Sequence, residues 1–168
     1  MTAHSAGQYD FGNKHLAYEE LARTLHALLS GERDLIANAA NTAALIYSAL
    51  PDINWCGFYF LRDSDLVLGP FQGQPACVRI ALGRGVCGTA AALRTTQIVA
   101  DVNEFPGHIA CDAASRSELV VPLLSTAAAG QPQLLGVLDI DSPLVARFDT
   151  ADARGVERLA HLFIDSLG

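Results

Sequence analysis

The chain has 168 residues, of which 51% are apolar and 17% are charged, and its net charge is −7. This composition predicts one domain with a filled core and excludes a disordered chain. Ten arginines and a single lysine form no basic stripe, which excludes a nucleic-acid partner. No apolar run approaches the about 20 residues that span a bilayer, and the amino terminus has no apolar segment typical of a signal peptide. We therefore expect a cytoplasmic protein that does not enter membranes.

Two helical patterns follow a polar amino terminus. Residues 1–14 are predicted to form a flexible arm, and residues 15–168 a single domain. The second helix is predicted over residues 32–50, where apolar residues recur at three- and four-residue steps, at Ile36, Ala40, Ala43, Tyr47 and Leu50. Pro51 ends this helix.

The middle of the chain alternates short strand patterns with glycine-rich turns. Strands are predicted over residues 54–61, 66–71, 77–80, 97–100, 118–125 and 134–140. A helix of small residues is predicted over 86–93, after Gly83-Arg84-Gly85. The last two strands read as a hairpin, and Asp149 is typical of the N-cap of a final helix. The order predicts an α+β domain whose mostly antiparallel sheet carries helices on one face.

The aromatic strand at residues 54–61 has two different faces. Because side chains alternate along a strand, Trp55 and Tyr59 share one face with Gly57, whereas Cys56 lies on the other, apolar face. Cys56 is therefore interpreted as a buried structural thiol. The face of Trp55 and Tyr59 fits a pocket wall and ordinary core packing equally well.

Three carboxylates are predicted to meet at one end of the hairpin. Asp139 and Asp141 are two residues apart and point to the same face, and Glu118 opens the neighbouring strand. Crowded and poorly solvated carboxylates raise the pKa of one member, which suits a general acid. The alternative is a strand end that opens into solvent, where acids have no special role.

The cysteines occupy turns in one stretch of the chain. Cys87 lies in the first turn of a short helix, where the helix dipole favours a thiolate. Cys111 lies in a loop, residues 101–117, that is long enough to indicate a function, and it has an equal claim to reactivity. A zinc site of Cys77, Cys87, Cys111 and His108 is disfavoured because a structural zinc site usually contains a close cysteine pair. We predict no metal.

These motifs together resemble the free methionine-(R)-sulfoxide reductases. The resemblance rests on NWCGFYF, GPFQGQPACVRI, GRGVCGTAA, GHIACDAASRSELVVPL and GVLDIDS, which occur in this order between about residues 54 and 148. It implies a GAF-like fold with a six-stranded antiparallel sheet and helices mainly on one face. It also implies reduction of the free amino acid's R epimer and recycling by thioredoxin and NADPH without a bound cofactor. The family commonly forms dimers.

The resemblance also implies roles for individual residues. Cys111 is the implied nucleophile, Cys77 the resolving partner, and Cys87 an auxiliary thiol able to form an alternative disulfide. The acids Glu118, Asp139 and Asp141 match the substrate-site acids, with Glu118 and Asp141 taking part in catalysis, and Trp55 and Tyr59 match the aromatic wall. Cys56 and a long turn at residues 126–133 depart from the pattern. The competing hypotheses are a GAF sensor module without catalysis and a reductase of protein-bound sulfoxide.

Overall fold

The computed structural model describes residues 9–107, 113–126 and 132–168. Four α-helices occur in this part of the chain: α1 (Lys14–Leu29), α2 (Leu35–Ala49), α3 (Gly85–Leu93) and α4 (Thr150–Ser166). The strands are β1 (Trp55–Arg62), β2 (Asp65–Gly73), β3 (Arg79–Ala81), β4 (Gln97–Val99), β5 (Ser117–Thr126) and β6 (Pro132–Ser142). The described helices include none that is long and apolar enough to cross a membrane.

The strands form one six-stranded sheet in the order β3-β2-β1-β6-β5-β4, with antiparallel pairing throughout. This confirms the predicted α+β class and the six-stranded antiparallel sheet. One face of the sheet packs against α1, α2 and α4, and the other packs against α3. The helices therefore lie mainly on one face, as predicted, and α3 covers a separate, smaller core.

The two faces of β1 divide the side chains between these cores. Cys56, Phe58 and Phe60 belong to the core under the three long helices, and Trp55 and Tyr59 belong to the core under α3. Cys56 is a fully buried free thiol, so its interpretation as a structural residue agrees with its position. Alternation along the strand predicted this division because both faces of β1 are covered.

The buried face of α2 differs from the predicted one. Ile36 and Tyr47 are exposed, whereas Asn38 and Thr42 are buried. The Asn38 amide donates hydrogen bonds to Glu32 O and Ser166 Oγ, and the Thr42 hydroxyl donates to Asn38 O. The donors of both side chains are therefore satisfied, whereas Asn38 Oδ1 has no hydrogen-bond partner among the described residues. The helix begins after Asp34, whose carboxylate accepts hydrogen bonds from the amides of residues 36 and 37. Ala43 and Leu50 are buried as the pattern predicted, so the apolar pattern alone identified the helix and only part of its packed face.

Residues 9–14, which the sequence assigned to a flexible arm, pack against the domain. The Tyr9 hydroxyl donates a 3.2 Å hydrogen bond to Thr24 Oγ1, and the ring of Phe11 contacts that of Tyr18 edge-on. Lys14 begins α1 and pairs with Asp149. Residues 1–8 lie outside the described part of the chain, and the prediction of a flexible arm there stays a prediction.

Asp152, in the first turn of α4, connects this helix to α1. It is fully buried and accepts hydrogen bonds from Lys14 Nζ, from Tyr18 Oη at 2.9 Å and from Arg147 Nη1 at 3.2 Å. It also completes a capping box with Asp149, the predicted N-cap of α4. The predicted start of α4 is confirmed, and the carboxylate that fixes it has two cationic partners.

Candidate active site

The ladder of β1, β6 and β5 brings the predicted aromatic and acidic residues to one place. Trp55 lies opposite Asp141, and Asp141 lies opposite Glu118 on β5. Gly57 lies opposite Asp139. Because directly opposed residues point to the same face of a sheet, these side chains all face α3 rather than the three long helices.

A cavity opens between this face of the sheet and α3. Trp55 and Tyr59 line this cavity and are also 98% buried in the core under α3, so both interpretations of their face describe part of its environment. Among the described residues, the cavity lining combines aromatic and acidic groups with one thiol and one cation. These lining residues are Trp55, Tyr59, Pro75, Ala76, Ile80, Arg84, Gly85, Val86, Cys87, Ser115, Glu118, Asp139 and Asp141.

The aromatic wall is fixed by stacking and by two hydrogen bonds. The Trp55 ring stacks on Tyr59 at 5.9 Å and on Phe71 at 5.4 Å between centroids. Trp55 Nε1 donates to Gln74 O at 3.0 Å, and Tyr59 Oη donates to Cys77 O at 2.9 Å. The polar ends of both rings are therefore satisfied by the segment that carries Cys77, and that segment is held against the cavity.

Two of the three acids are buried at the inner end of the cavity. Glu118 is 6% exposed and Asp139 is 5% exposed, whereas Asp141 is half-buried. Burial, together with the charges of Asp139 and Asp141, raises the pKa of Glu118 well above its usual range. Burial raises the pKa of Asp139 to about 6. The solvated strand end that the sequence left as an alternative is thus wrong for these two acids, and the pair can hold a proton near neutral pH.

Cys87 lies beside the acids and is a buried free thiol. Its Sγ is 3.8 Å from Glu118 Oε1, and the geometry is that of a weak S–H donor to a carboxylate. Burial, and then the charges of Asp139 and Glu118, raise the pKa of this thiol well above its usual range. The prediction that the helix dipole favours a thiolate at Cys87 is wrong, because burial next to two carboxylates outweighs the dipole.

The remaining predicted thiols have different positions. Cys77 is half-buried on the segment before β3 and is disulfide-bonded, whereas Cys56 and Cys87 are free. Cys111 and His108 lie outside the described residues, as does most of the long turn at residues 126–133. The predicted roles of these residues, and the zinc set that included two of them, stay predictions.

Known proteins with similar sequences and folds identify the family. The free methionine-R-sulfoxide reductase of Escherichia coli is 54% identical over 147 residues, which cover 88% of this chain and 86% of that protein. The chain belongs to the free methionine-R-sulfoxide reductases. The Neisseria meningitidis reductase of that name, solved in complex with its substrate, is 43% identical with a TM-score of 0.83, and the match covers 92% of this chain and 89% of that one.

A further similar structure is a candidate GAF sensor protein from Burkholderia vietnamiensis. It is 58% identical with a TM-score of 0.85, and the match covers 90% of this chain and 94% of that one. No family model matches the chain. The GAF-like fold that the resemblance implied is confirmed by these neighbours together with the observed sheet order.

Two polar residues at this reductase-family cavity were not predicted from sequence. Arg84 precedes α3, and no side chain caps the first turn of that helix. Ser115 is buried just before β5. The signal for Arg84 was present in the flanking glycines, because an arginine held in a tight turn directly before a small-residue helix points to an anion. Ser115 carries no comparable signal.

Proposed function

We propose that this protein reduces free methionine-(R)-sulfoxide to methionine with cysteine thiols. The observation that carries the proposal is a cavity in which two buried acids with raised pKa values face an aromatic wall next to Cys87. Family membership supports the same reaction, because a relative at 54% identity bears this name.

The reaction needs a thiolate that attacks sulfur and an acid that protonates the leaving oxygen. Cys111 is proposed as the nucleophile, and the proton comes from the acid group formed by Glu118, Asp139 and Asp141. Attack at sulfur breaks the S–O bond and releases methionine. The oxygen, with the proton from the acid group, ends on the Cys111 sulfur as a sulfenic acid. Two electrons move from the Cys111 sulfur to the substrate sulfur.

Cys77 is proposed to resolve the sulfenic acid. Its thiol condenses with the oxidised Cys111 and expels water, which forms a disulfide. What supports this pairing is that Cys77 is disulfide-bonded whereas Cys56 and Cys87 are free thiols. Thioredoxin then supplies two electrons by thiol–disulfide exchange, and NADPH regenerates thioredoxin.

The charges around the cavity suit a free amino acid. The acids Glu118, Asp139 and Asp141 can accept charge-assisted hydrogen bonds from the α-ammonium group of the substrate. Arg84, the cation among the described lining residues, can pair with its α-carboxylate. A methionine sulfoxide inside a polypeptide lacks both charges. Trp55 and Tyr59 supply an apolar wall for the methyl group.

We also propose that the protein works as a cytoplasmic homodimer without a bound cofactor. The exposed α2 side chains Ile36, at 53% exposure, and Tyr47, at 37%, support association of two copies through this helix. Sedimentation equilibrium checks the assembly. A dimer mass that Ile36→Asp converts to a monomer mass is expected, and a wild-type monomer at micromolar concentration would contradict it.

The test of the function is a coupled assay that follows NADPH in the presence of thioredoxin and its reductase. Free methionine-(R)-sulfoxide should be consumed at least a hundredfold more efficiently than its S epimer and than N-acetylmethionine-(R)-sulfoxide, which lacks the ammonium charge. Equal use of the N-acetyl substrate would favour reduction of protein-bound sulfoxide. Replacing thioredoxin with dithiothreitol separates failure of the protein partner from failure of the chemistry.

A sensor without catalysis is the second candidate, because the 58% identical structure is described as a GAF sensor. A sensor binds methionine sulfoxide without consuming NADPH or dithiothreitol. Calorimetric binding without product formation would therefore replace the reductase proposal with this one.

A further inference from the structure

Cys87, Glu118 and Asp139 bring three potential metal ligands together. One ligand atom from each residue lies within 4.8 Å of the other two, and all three residues are buried. They come from α3, β5 and β6, so three separate elements fix their positions. The set differs from the cysteine and histidine set that the sequence analysis weighed, since it shares only Cys87 with that set.

An unfilled acceptor at this cluster points to a ligand. Asp139 Oδ1 is buried and has no hydrogen-bond partner among the described residues, and Asp139 lines the cavity. A buried carboxylate oxygen without a partner costs free energy, which a cation would recover. The hydrogen bonds that the Asp139 carboxyl group does make, to Cys87 and Glu118, stay within the cluster.

The spacing suits a small tetrahedral cation. Zinc bonds of about 2.3 Å to sulfur and about 2.1 Å to oxygen place tetrahedral ligands ~3.6 Å apart for sulfur and oxygen and ~3.4 Å apart for two oxygens. Cys87 Sγ and Glu118 Oε1 are already 3.8 Å apart. Side-chain movements of about 1 Å therefore complete three ligand bonds, and the cavity is left to supply the fourth ligand.

We propose that Cys87, Glu118 and Asp139 form a binding site for a thiophilic divalent cation of the Zn²⁺ type, and that its occupation inhibits the enzyme. One thiolate and two carboxylates favour Zn²⁺ over Mg²⁺ and Ca²⁺, which prefer a larger number of oxygen ligands. Coordination displaces the thiol proton and any proton that the acid pair holds into solvent, with no change of oxidation state. The bound cation then occupies the acids that the substrate needs. Only this inhibitory consequence rests on the proposed function.

Cobalt provides a direct test, because a Co²⁺–thiolate bond absorbs in the near ultraviolet and Zn²⁺ displaces Co²⁺ from most sites. The protein is used without reductant, so that Cys77 stays disulfide-bonded and Cys56 and Cys87 are the described free thiols. Titration with Co²⁺ should give the thiolate absorption at one equivalent per chain, and Zn²⁺ should remove it. Absence of the band overturns the proposal.

Matched variants assign the ligands. Cys87→Ser should abolish the band, whereas Cys56→Ala, which removes the buried thiol of the opposite core, should retain it. Glu118→Gln and Asp139→Asn keep the side-chain shape and should each weaken Co²⁺ binding at least tenfold. Circular dichroism of every variant monitors folding. A band that survives Cys87→Ser, or that both amide variants leave unchanged in affinity, refutes the site.

The inhibition is measured in a separate assay without chelators. The concentration of dithiothreitol is kept low enough that it does not bind most of the added Zn²⁺. Zn²⁺ should raise the KM for methionine sulfoxide at least tenfold in the wild-type protein at concentrations that saturate the cobalt site. Zinc binding in a chain that never turns over sulfoxide would sink the proposed function alone. Turnover without cobalt binding would sink the metal site alone.

Discussion

Gly57 lies directly opposite Asp139 in the β1–β6 ladder, and the Trp55 ring occupies the space beside it. A Cβ atom at Gly57 would lie 2.6 Å from Trp55 Cη2 and 2.3 Å from Phe71 Cβ. The missing side chain thus lets the aromatic wall lie flat against the sheet next to the acid pair. Gly57 shares its face of β1 with Trp55 and Tyr59, and the tryptophan fills the space that the missing side chain leaves.

Gly57→Ala should therefore damage the cavity more than the fold. The added methyl group displaces Trp55, and we expect kcat/KM to fall at least tenfold while the free energy of unfolding drops by about 1–3 kcal/mol. Gly69→Ala is the matched control, because its Cβ meets the Phe60 ring in the opposite core at 2.8 Å. It should cost similar stability and leave kcat/KM of the folded fraction within about twofold. An equal loss of kcat/KM in Gly57→Ala and Gly69→Ala would contradict the prediction that Gly57 matters chiefly for the cavity.

Asp139 should reduce stability at neutral pH. Its folded pKa of about 6 lies above the ordinary value of 3.8, so the folded state holds the proton more tightly than the unfolded state. This favours folding at low pH, and the advantage is lost as the pH rises through about 6. Asp139→Asn should consequently raise the free energy of unfolding on the order of 1–3 kcal/mol at pH 8 and by much less at pH 4. Urea denaturation at both pH values measures the difference.

Asp139→Asn should lower the catalytic activity even though it raises the stability. Asp139 faces Glu118, Cys87, Tyr59 and Asp141, and burial raises the pKa values of both Glu118 and Asp139. We expect Asp139→Asn and Glu118→Gln each to lower kcat at least tenfold, since each removes a member of the group that holds the proton. Surface Asp65→Asn is the control for both measurements. Normal turnover in both amide variants would exclude acid catalysis by this pair.

Serine variants of the three cysteines should differ in single-turnover yield and in steady-state rate. Cys111→Ser should form no methionine. Cys77→Ser should form about one methionine per chain in the absence of thioredoxin, while its thioredoxin-dependent steady-state rate falls at least tenfold. Cys87→Ser should retain most steady-state activity, because its buried, protonated thiol is a poor nucleophile. Full steady-state activity of Cys77→Ser, with loss in Cys87→Ser, would reverse the two assignments.

Arg84 should determine the affinity for the substrate carboxylate. Arg84→Met is expected to raise the KM for methionine sulfoxide about 10- to 100-fold with little change in kcat, which corresponds to loss of one charged hydrogen-bonded pair. Methioninamide sulfoxide, which lacks the carboxylate, should be used equally by the variant and the wild type. Arg79→Met, on the exposed edge strand, is the control. An equal effect of Arg84→Met on the acid and the amide substrate would exclude the pairing.

Asp152 should contribute strongly to stability and not to catalysis. Asp152→Asn leaves Lys14 and buried Arg147 without their common carboxylate, and we expect the free energy of unfolding to fall by about 3–5 kcal/mol. Asp149→Asn keeps an N-cap residue at a side chain that is 58% exposed, so it should change stability by less than ~1 kcal/mol. Thermal unfolding with kinetics on the folded fraction tests both. A stable Asp152→Asn protein would show that the network is dispensable.

Local patterns in the sequence predicted the elements whose environments are simple. Alternation placed Trp55 and Cys56 on opposite faces of β1, and the spacing of Asp139 and Asp141 placed both on one face. Local spacing could not reveal that Asp139 is buried and Asp141 only half-buried, because that depends on how α3 covers the sheet. Local spacing also could not show that a carboxylate next to Cys87 counteracts the helix dipole, because Glu118 is 31 residues away along the chain.

The two buried free thiols give the protein a reporter in each of its layers. Cys56 lies under the long helices, and Cys87 lies under α3 on the other side of the sheet. A thiol-specific label can reach Cys56 only when the side of the long helices opens, whereas the cavity gives it a route to Cys87. The two labelling rates therefore compare a local opening with access through the cavity. Mass spectrometry of labelled peptides would show whether the cavity side opens before the rest of the domain, without any engineered probe.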